Sequence, residues 1–204
     1  MPATASESLY RRLQQHLDRM PVGFPATQSG VEIRILERLF TPDEAEIALE
    51  LSAIPEPAAT IHKRFKSRMA LPELKQKLDR MAEQGNILAW PIEGEVRYAK
   101  MIFAIGMYER QVKNLTPEFE RDSLQYLEEA FGQAFHSKKT TQLRIVPVNK
   151  RIAVERSVTT YDQIRAYVEA SPGPFAAIPC ICRDEPGSSG ESGHGLDVGA
   201  GRDR

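Results

Sequence analysis

The sequence predicts an α+β fold, and three observations carry that prediction. Apolar residues recur at helical spacing along most of the chain up to Phe135. Breakers, a start signal and a cap glycine cut that pattern into short helices. Two short β-rich runs then follow one of these helices across a turn-forming stretch. In chain order the expected parts are N-terminal helices over residues 1–56, a helix–turn–helix with a hairpin over 57–101, a smaller mixed α/β part over 102–183 and a disordered tail over 184–204.

Ser6 to Met20 presents Leu9, Leu13, Leu17 and Met20 at intervals of three and four, the repeat of one helix face. Pro21-Val22-Gly23-Phe24-Pro25 ends it. Val31 to Leu39 repeats the pattern with Ile35, Leu36 and Leu39. Thr41-Pro42-Asp43-Glu44 is a start signal, because Thr41 can cap, Pro42 suits the first helical position and Glu44 completes a capping box. The helix it opens is expected to reach about Ser52, burying Ala45, Ala48 and Leu51, before Ile54-Pro55-Glu56-Pro57 breaks it.

Ala58 to Phe65 reads as a short helix with Ile61 and Phe65 four apart, and Lys66-Ser67-Arg68-Met69 turns the chain. Leu71 to Gln84 is a longer helix with Leu74, Leu78 and Met81 inward. Gly85 sits where a left-handed cap residue belongs. Ile87 to Trp90 and Val96 to Tyr98 are strand candidates around a Pro91-Ile92-Glu93-Gly94-Glu95 loop. Helix, turn, helix, glycine and hairpin is the order of a winged helix.

Beyond Met101 the chain predicts a linking segment over Phe103 to Tyr108 and a helix around Met107 to Lys113. Thr116-Pro117 opens a long helix reaching about Phe135, with Phe119, Leu127, Phe131 and Phe135 buried. A strand over Gln142 to Val148, a helix over Tyr161 to Ala170 and a strand over Phe175 to Cys182 complete the mixed part. Asp184 to Arg204 holds six of the thirteen glycines and only Leu196 and Val198 as sizeable apolar residues. Such a segment buries too little surface to offset its ordering entropy, so disorder is expected.

Composition narrows the function classes. A formal net charge of −1 over 204 residues creates no global field toward nucleic acid or membrane, so any such attraction must be local. No apolar run reaches the roughly 18–20 residues of a membrane span, and the polar N-terminus does not read as a leader. The two cysteines are too close to staple a fold, and a cytoplasmic location is expected.

The local charge lies between His62 and Arg80. There Lys63, Arg64, Lys66, Arg68, Lys75, Lys77 and Arg80 face only Glu73 and Asp79, an excess of five. The second helix of a helix–turn–helix enters the major groove, so Lys75, Lys77 and Arg80, with Lys63, Arg64 and Arg68 nearby, are the candidate nucleic-acid residues. Against that stand Glu73, Asp79 and Glu83 on the same helix, and Glu93 and Glu95 in the wing. The other reading is a solvated face on a module that docks a protein or dimerises.

Cys180-Ile181-Cys182 is the candidate metal motif, since a Cys-X-Cys pair can place two thiolates on one metal or cluster. No third cysteine exists, and His16, His62, His136 and His194 have no ligand spacing to the pair, so two idle thiols remain the alternative. No catalytic constellation is legible. Glu118, Glu120 and Asp122 open a helix, where acidic residues suit the positive end of its dipole, and the tail glycines follow no strand as a phosphate loop would.

Several segments together resemble a known family. They are Ser8-Leu9-Tyr10-Arg11-Arg12-Leu13, Met20-Pro21-Val22-Gly23-Phe24-Pro25, Gly106-Met107-Tyr108-Glu109, and Pro174-Phe175 leading to Cys180-Ile181-Cys182-Arg183. Over Ser6 to Arg183 the chain resembles a bacterial and archaeal family of ferredoxin-like 4Fe–4S proteins with an N-terminal winged-helix region. The resemblance implies iron–sulfur electron transfer with a redox protein partner, with Cys180 and Cys182 as the first ligands. After Arg183 the chain departs from the pattern, as a shifted reading frame or a truncated gene would make it do. The expected function is therefore the non-catalytic portion of such a protein, with no cluster stably bound by this chain unless a homodimer shares one. The alternative is a DNA-binding or protein-docking winged helix of the transcriptional-regulator type.

Overall fold

Burial of the predicted helix faces organises the first of two compact units, Met1–Gln142 and Leu143–Arg204. The structure, a computed structural model, describes residues 5–65, 68–139, 160–170, 172, 175–179, 181 and 196–200. In α1 (Ala5–Asp18) and α2 (Val31–Leu39) the buried apolar residues include Leu13, Leu17, Ile35, Leu36 and Leu39. Among the described residues, the buried polar groups Tyr10, Gln14 and Glu32 that accompany them are partnered. The Tyr10 hydroxyl donates to the Phe40 carbonyl at 2.7 Å, and Gln14 Nε2 donates to the Phe24 carbonyl at 2.6 Å. Glu32 is fully buried and accepts from Arg11 Nη1 at 2.8 Å and from the Thr27 hydroxyl.

The start signal at Thr41 forms as expected at α3 (Pro42–Ala48). Thr41 Oγ1 accepts from the Glu44 N–H, and Glu44 Oε2 accepts from the Thr41 N–H at 2.9 Å. The helix stops at Ala48, short of the Ser52 expected. Its last turn tightens, with Leu51 N–H donating back to Ala48 O at 3.2 Å, and Leu51 is still buried.

A two-residue strand follows, β1 (Glu56–Pro57), where the sequence shows only a breaker. Next come α4 (Ala58–Phe65), α5 (Leu71–Glu83), β2 (Ile87–Ile92) and β3 (Glu95–Lys100). Ile61, Phe65, Leu74, Leu78 and Met81 point inward as their spacing predicts. Gly85 closes α5 at φ +81°. Its N–H donates to Ala82 O, and the Asn86 N–H donates to Met81 O, the two bonds of a Schellman cap.

The hairpin is tighter than the expected five-residue loop. Pairing runs to Ile92 opposite Glu95, which leaves Glu93 (φ +52°) and Gly94 (φ +80°) as a two-residue turn with the positive φ pair of type I′. That turn makes Pro91 and Val96 a non-hydrogen-bonded pair, so Pro91 loses no ladder bond on this edge strand. β1 adds antiparallel to the other side of β3, giving the order β1-β3-β2.

Past Met101 the chain bends through Phe103–Met107 and forms a 3-10 helix, Glu109–Asn114, near the short helix expected there. The long helix expected from Thr116 is present as α6 (Pro117–Tyr126) and α7 (Gly132–Ser137), joined by a π turn over Leu127–Phe131. Thr116 caps it by accepting from the Phe119 N–H at 3.2 Å. Phe119 and Phe131 are buried, while Leu127 and Phe135 are only partly covered. Phe24 lies 4.8 Å from Tyr126 and 5.7 Å from Phe103, centroid to centroid, and Phe103 lies 5.8 Å from Phe131. The helices after Met101 thus share a core with α1 and α2.

In the second unit α8 (Tyr161–Ala170) has its expected bounds, with Thr160 and Gln163 exchanging capping bonds. β4 (Phe175–Pro179) stops before the cysteines, and it pairs antiparallel with β5 (Leu196–Ala200). β5 therefore gives one stretch of the glycine-rich segment a sheet partner, and it contains Leu196 and Val198. The strand expected over Gln142 to Val148 lies outside the described residues. Among the described residues no helix is long and apolar enough to cross a membrane.

Candidate functional site

The helix pair α4–α5 and the β2–β3 hairpin place the basic candidates on the surface. Lys63 and Arg64 fall in the last turn of α4, where cations also favour the negative end of the helix dipole. Lys63, Arg64, Arg68, Lys75 and Arg80 are exposed and Lys77 is half-buried.

Most of that charge is already engaged. Arg64 Nη2 lies 2.7 Å from Glu56 of β1 and its Nε lies 4.0 Å from Glu50. Arg68 reaches Glu46 of α3 at 3.5 Å. Lys75 pairs with Asp79 one turn on at 2.7 Å, and Lys77 bridges Asp43 at 3.2 Å and Glu73 at 3.7 Å. Among the described residues, only Lys63 and Arg80 of the six candidates have no carboxylate within 4.0 Å. Exposed pairs of this kind stabilise by about 0–1 kcal/mol each. Their larger consequence is electrostatic, because each carboxylate cancels the field a phosphate would feel.

The pKa directions follow from the same contacts. Hydrogen bonds from Arg64 hold the Glu56 carboxyl below the ordinary glutamate value, against the opposing effect of burial. Burial alone would raise Asp79, but hydrogen bonds from Lys75 and from the Tyr98 hydroxyl together outweigh it and lower its pKa. Tyr98 itself is fully buried, and burial and the Asp79 carboxylate keep its hydroxyl protonated as the donor. This bond ties α5 to the middle strand of the sheet.

The hairpin carries a feature that the sequence reading treats only as strand. Strand alternation places Leu88, Trp90 and Ile92 on one face of β2. Trp90, the single tryptophan of the chain, is 56% exposed. Opposite it on β3 stands Arg97, whose guanidinium lies 3.6 Å from Glu93 at the turn. A lone tryptophan alternating with aliphatics beside a turn is the signal that could have marked it.

A second buried polar set lies at the base of the sheet. Lys100 is 8% exposed and donates to the His16 carbonyl at 2.9 Å, and His16 Nε2–H donates to the Leu51 carbonyl at 2.8 Å. Burial, aided by Arg19, lowers the Lys100 pKa. Burial also lowers that of His16, with Lys100 and Arg19 adding to it and the Leu51 bond and Glu50 opposing. These contacts lock α1 to β3 and to the segment after α3, a structural role.

Cys180 and Cys182 lie outside the described residues, and Ile181 between them is buried. Two thiols are half of the four that a 4Fe–4S cluster takes. Among the described residues no group of three or more His, Cys, Asp or Glu side chains could hold a metal ion. None of the known family models, curated proteins or solved structures compared with the chain matches it.

Proposed function

We propose that residues 56–100 are a winged helix that docks a protein partner through its hairpin rather than gripping nucleic acid. The observation that carries this reading is the pairing of Arg64, Arg68 and Lys77 with carboxylates of neighbouring elements, and of Lys75 with Asp79 of its own helix. Phosphate binding draws its affinity from cations that displace counterions, and each cation already neutralised contributes less to it. At the wing tip Glu93 and Glu95 would face a phosphate backbone with like charge, while Trp90 offers an aromatic surface of the kind that dominates protein interfaces.

The test is a titration of the full chain with duplex DNA at low salt, read by anisotropy of the labelled duplex and by Trp90 fluorescence. No saturable binding is expected. Salt-sensitive binding that disappears when Lys75, Lys77 and Arg80 are replaced by Gln would overturn docking in favour of DNA recognition. A photo-crosslinking residue at position 90 should yield discrete protein adducts in cells. Adducts to nucleic acid alone would count against the reading.

A second reading concerns the other unit and is favoured by the resemblance over Ser6 to Arg183. In it the chain is the non-catalytic portion of an iron–sulfur electron-transfer protein, with Cys180 and Cys182 as two thiolates of an incomplete set. Anaerobic reconstitution with iron and sulfide is then expected to leave little stable colour. A stoichiometric cluster that is lost on Cys180→Ser or Cys182→Ser would refute the incomplete-set reading.

A further inference from the structure

Behind the joint between α5 and β2, in the first unit, lies a cavity of about 500 Å³ that neither functional reading uses. Its size falls within the range of small-molecule pockets, about 300–1,000 Å³. Four amide side chains from two separate segments line it: Gln84 and Asn86 on either side of the cap glycine, and Gln111 and Asn114 of the 3-10 helix.

Two of these amides are held in place by their own bonds. Gln111 Nε2 donates to the Gln84 carbonyl at 2.9 Å and to Asn86 Oδ1 at 3.2 Å, and Asn86 Nδ2 donates to the Leu39 carbonyl. Both residues are nearly inaccessible, at 3% for Asn86 and 5% for Gln111. The wall is therefore pre-organised. Phe119 adds an apolar surface to the lining.

Two groups in the lining have capacity left over. Gln84 Oε1 is buried with no hydrogen-bond partner among the described residues. An acceptor left in that state costs about 1–3 kcal/mol until a donor reaches it. Arg38 is the other. Its guanidinium has five N–H donors, and its one ion pair among the described residues is to Asp122 at 3.5 Å, a carboxylate that Arg34 also approaches at 3.2 Å. With Arg121 at 4.0 Å, three arginines thus share one carboxylate, and Arg38 retains donors in the fork geometry that suits a second one.

We propose that this cavity binds a small carboxylate that also bears an N–H donor, the class that includes the free amino acids. The carboxylate would lie against Arg38, and the N–H group against Gln84 Oε1 once that amide, buried in the free protein, turns toward the cavity. Gln84, Gly85 and Asn86 form the cap that sets the departure of the hairpin from α5, so the bound molecule would also stiffen that joint. This inference is independent of whether the winged helix binds protein or DNA.

The test is a ¹H–¹⁵N NMR titration of the full chain with the standard amino acids singly, with 1,4-diaminobutane as a probe that lacks a carboxylate. At least one amino acid is expected to give saturable shifts at the side-chain amides of Asn86, Gln111 and Asn114, with none from the diamine. Arg38→Gln should weaken that binding about tenfold, the effect of losing one charge-assisted hydrogen bond. Arg38→Lys, which keeps the charge and loses the fork, should lie between. The same spectra report whether each variant is folded. Absence of saturable shifts with every amino acid would mean the cavity holds only water and would overturn the proposal, as would equal binding of the diamine or affinity unchanged in folded Arg38→Gln.

Discussion

Replacing Gly85 with Ala should destabilise the first unit by about 2–4 kcal/mol. The position has φ +81°, where an alanine side chain costs about 1–2 kcal/mol that glycine avoids. A methyl group built there would also lie 2.5 Å from Arg110 Cβ and 3.4 Å from the Arg110 carbonyl oxygen, so backbone must shift. Overpacking of that kind typically adds about 1–3 kcal/mol. The smaller entropy of the unfolded alanine chain returns about 0.4–1 kcal/mol. Urea unfolding followed by far-ultraviolet circular dichroism and by the single tryptophan, Trp90, measures the difference directly. Two further variants separate the causes. Asn tolerates the left-handed region but carries the same Cβ, so Gly85→Asn should relieve the backbone part of the cost and keep the clash with Arg110. In an Arg110→Gly background the added methyl meets no Cβ, so the cost of Gly85→Ala should fall toward that of the backbone alone. A Gly85→Ala cost below about 0.5 kcal/mol, or strict additivity with Arg110→Gly, would refute this account of the joint.

Two other predictions follow from buried polar groups. Arg11→Ala should cost about 3 kcal/mol in the same unfolding assay, because it strands the fully buried Glu32 carboxylate with, among the described residues, only Thr27 as a hydrogen-bond donor, and Arg11→Ala/Glu32→Gln should recover part of the loss. The depressed His16 pKa means that the unfolded chain takes up a proton at higher pH than the folded one. Stability from this group is therefore complete above about pH 6.5 and is lost as pH falls toward the folded value. His16→Gln, which can still donate to Leu51, should flatten the decline between pH 7 and pH 5. An unchanged slope would show that other groups carry it.

Local signals in the sequence were enough to mark most of the helices. Capping chemistry acts within four residues, so the Thr41–Glu44 box, the Gly85 cap and the Thr116-Pro117 start were all legible without a fold. The inward faces of α2, α4 and α5 were legible for the same reason, since helical periodicity is a property of a short window. Basic residues at the candidate site could be counted from the sequence. Their significance could not, because the carboxylates that engage them come from α3, the segment after it and β1 as well as from α5 itself.

Tertiary structure decided what contacts distant segments make, and those contacts set the candidate sites. β1 exists because the last two residues of a breaker meet the free edge of β3, a pairing with no local signature. The helices after Met101 join the N-terminal core through Phe24, Phe103, Tyr126 and Phe131, which lie far apart in the chain. The cavity likewise takes its lining from four separate stretches, so neither its shape nor the unpaired Gln84 oxygen could be inferred from periodicity. Helix faces and caps depend on neighbours a few residues away and are written along the chain. Charge pairing, sheet edges and cavities depend on which faces finally meet, and only packing determines that.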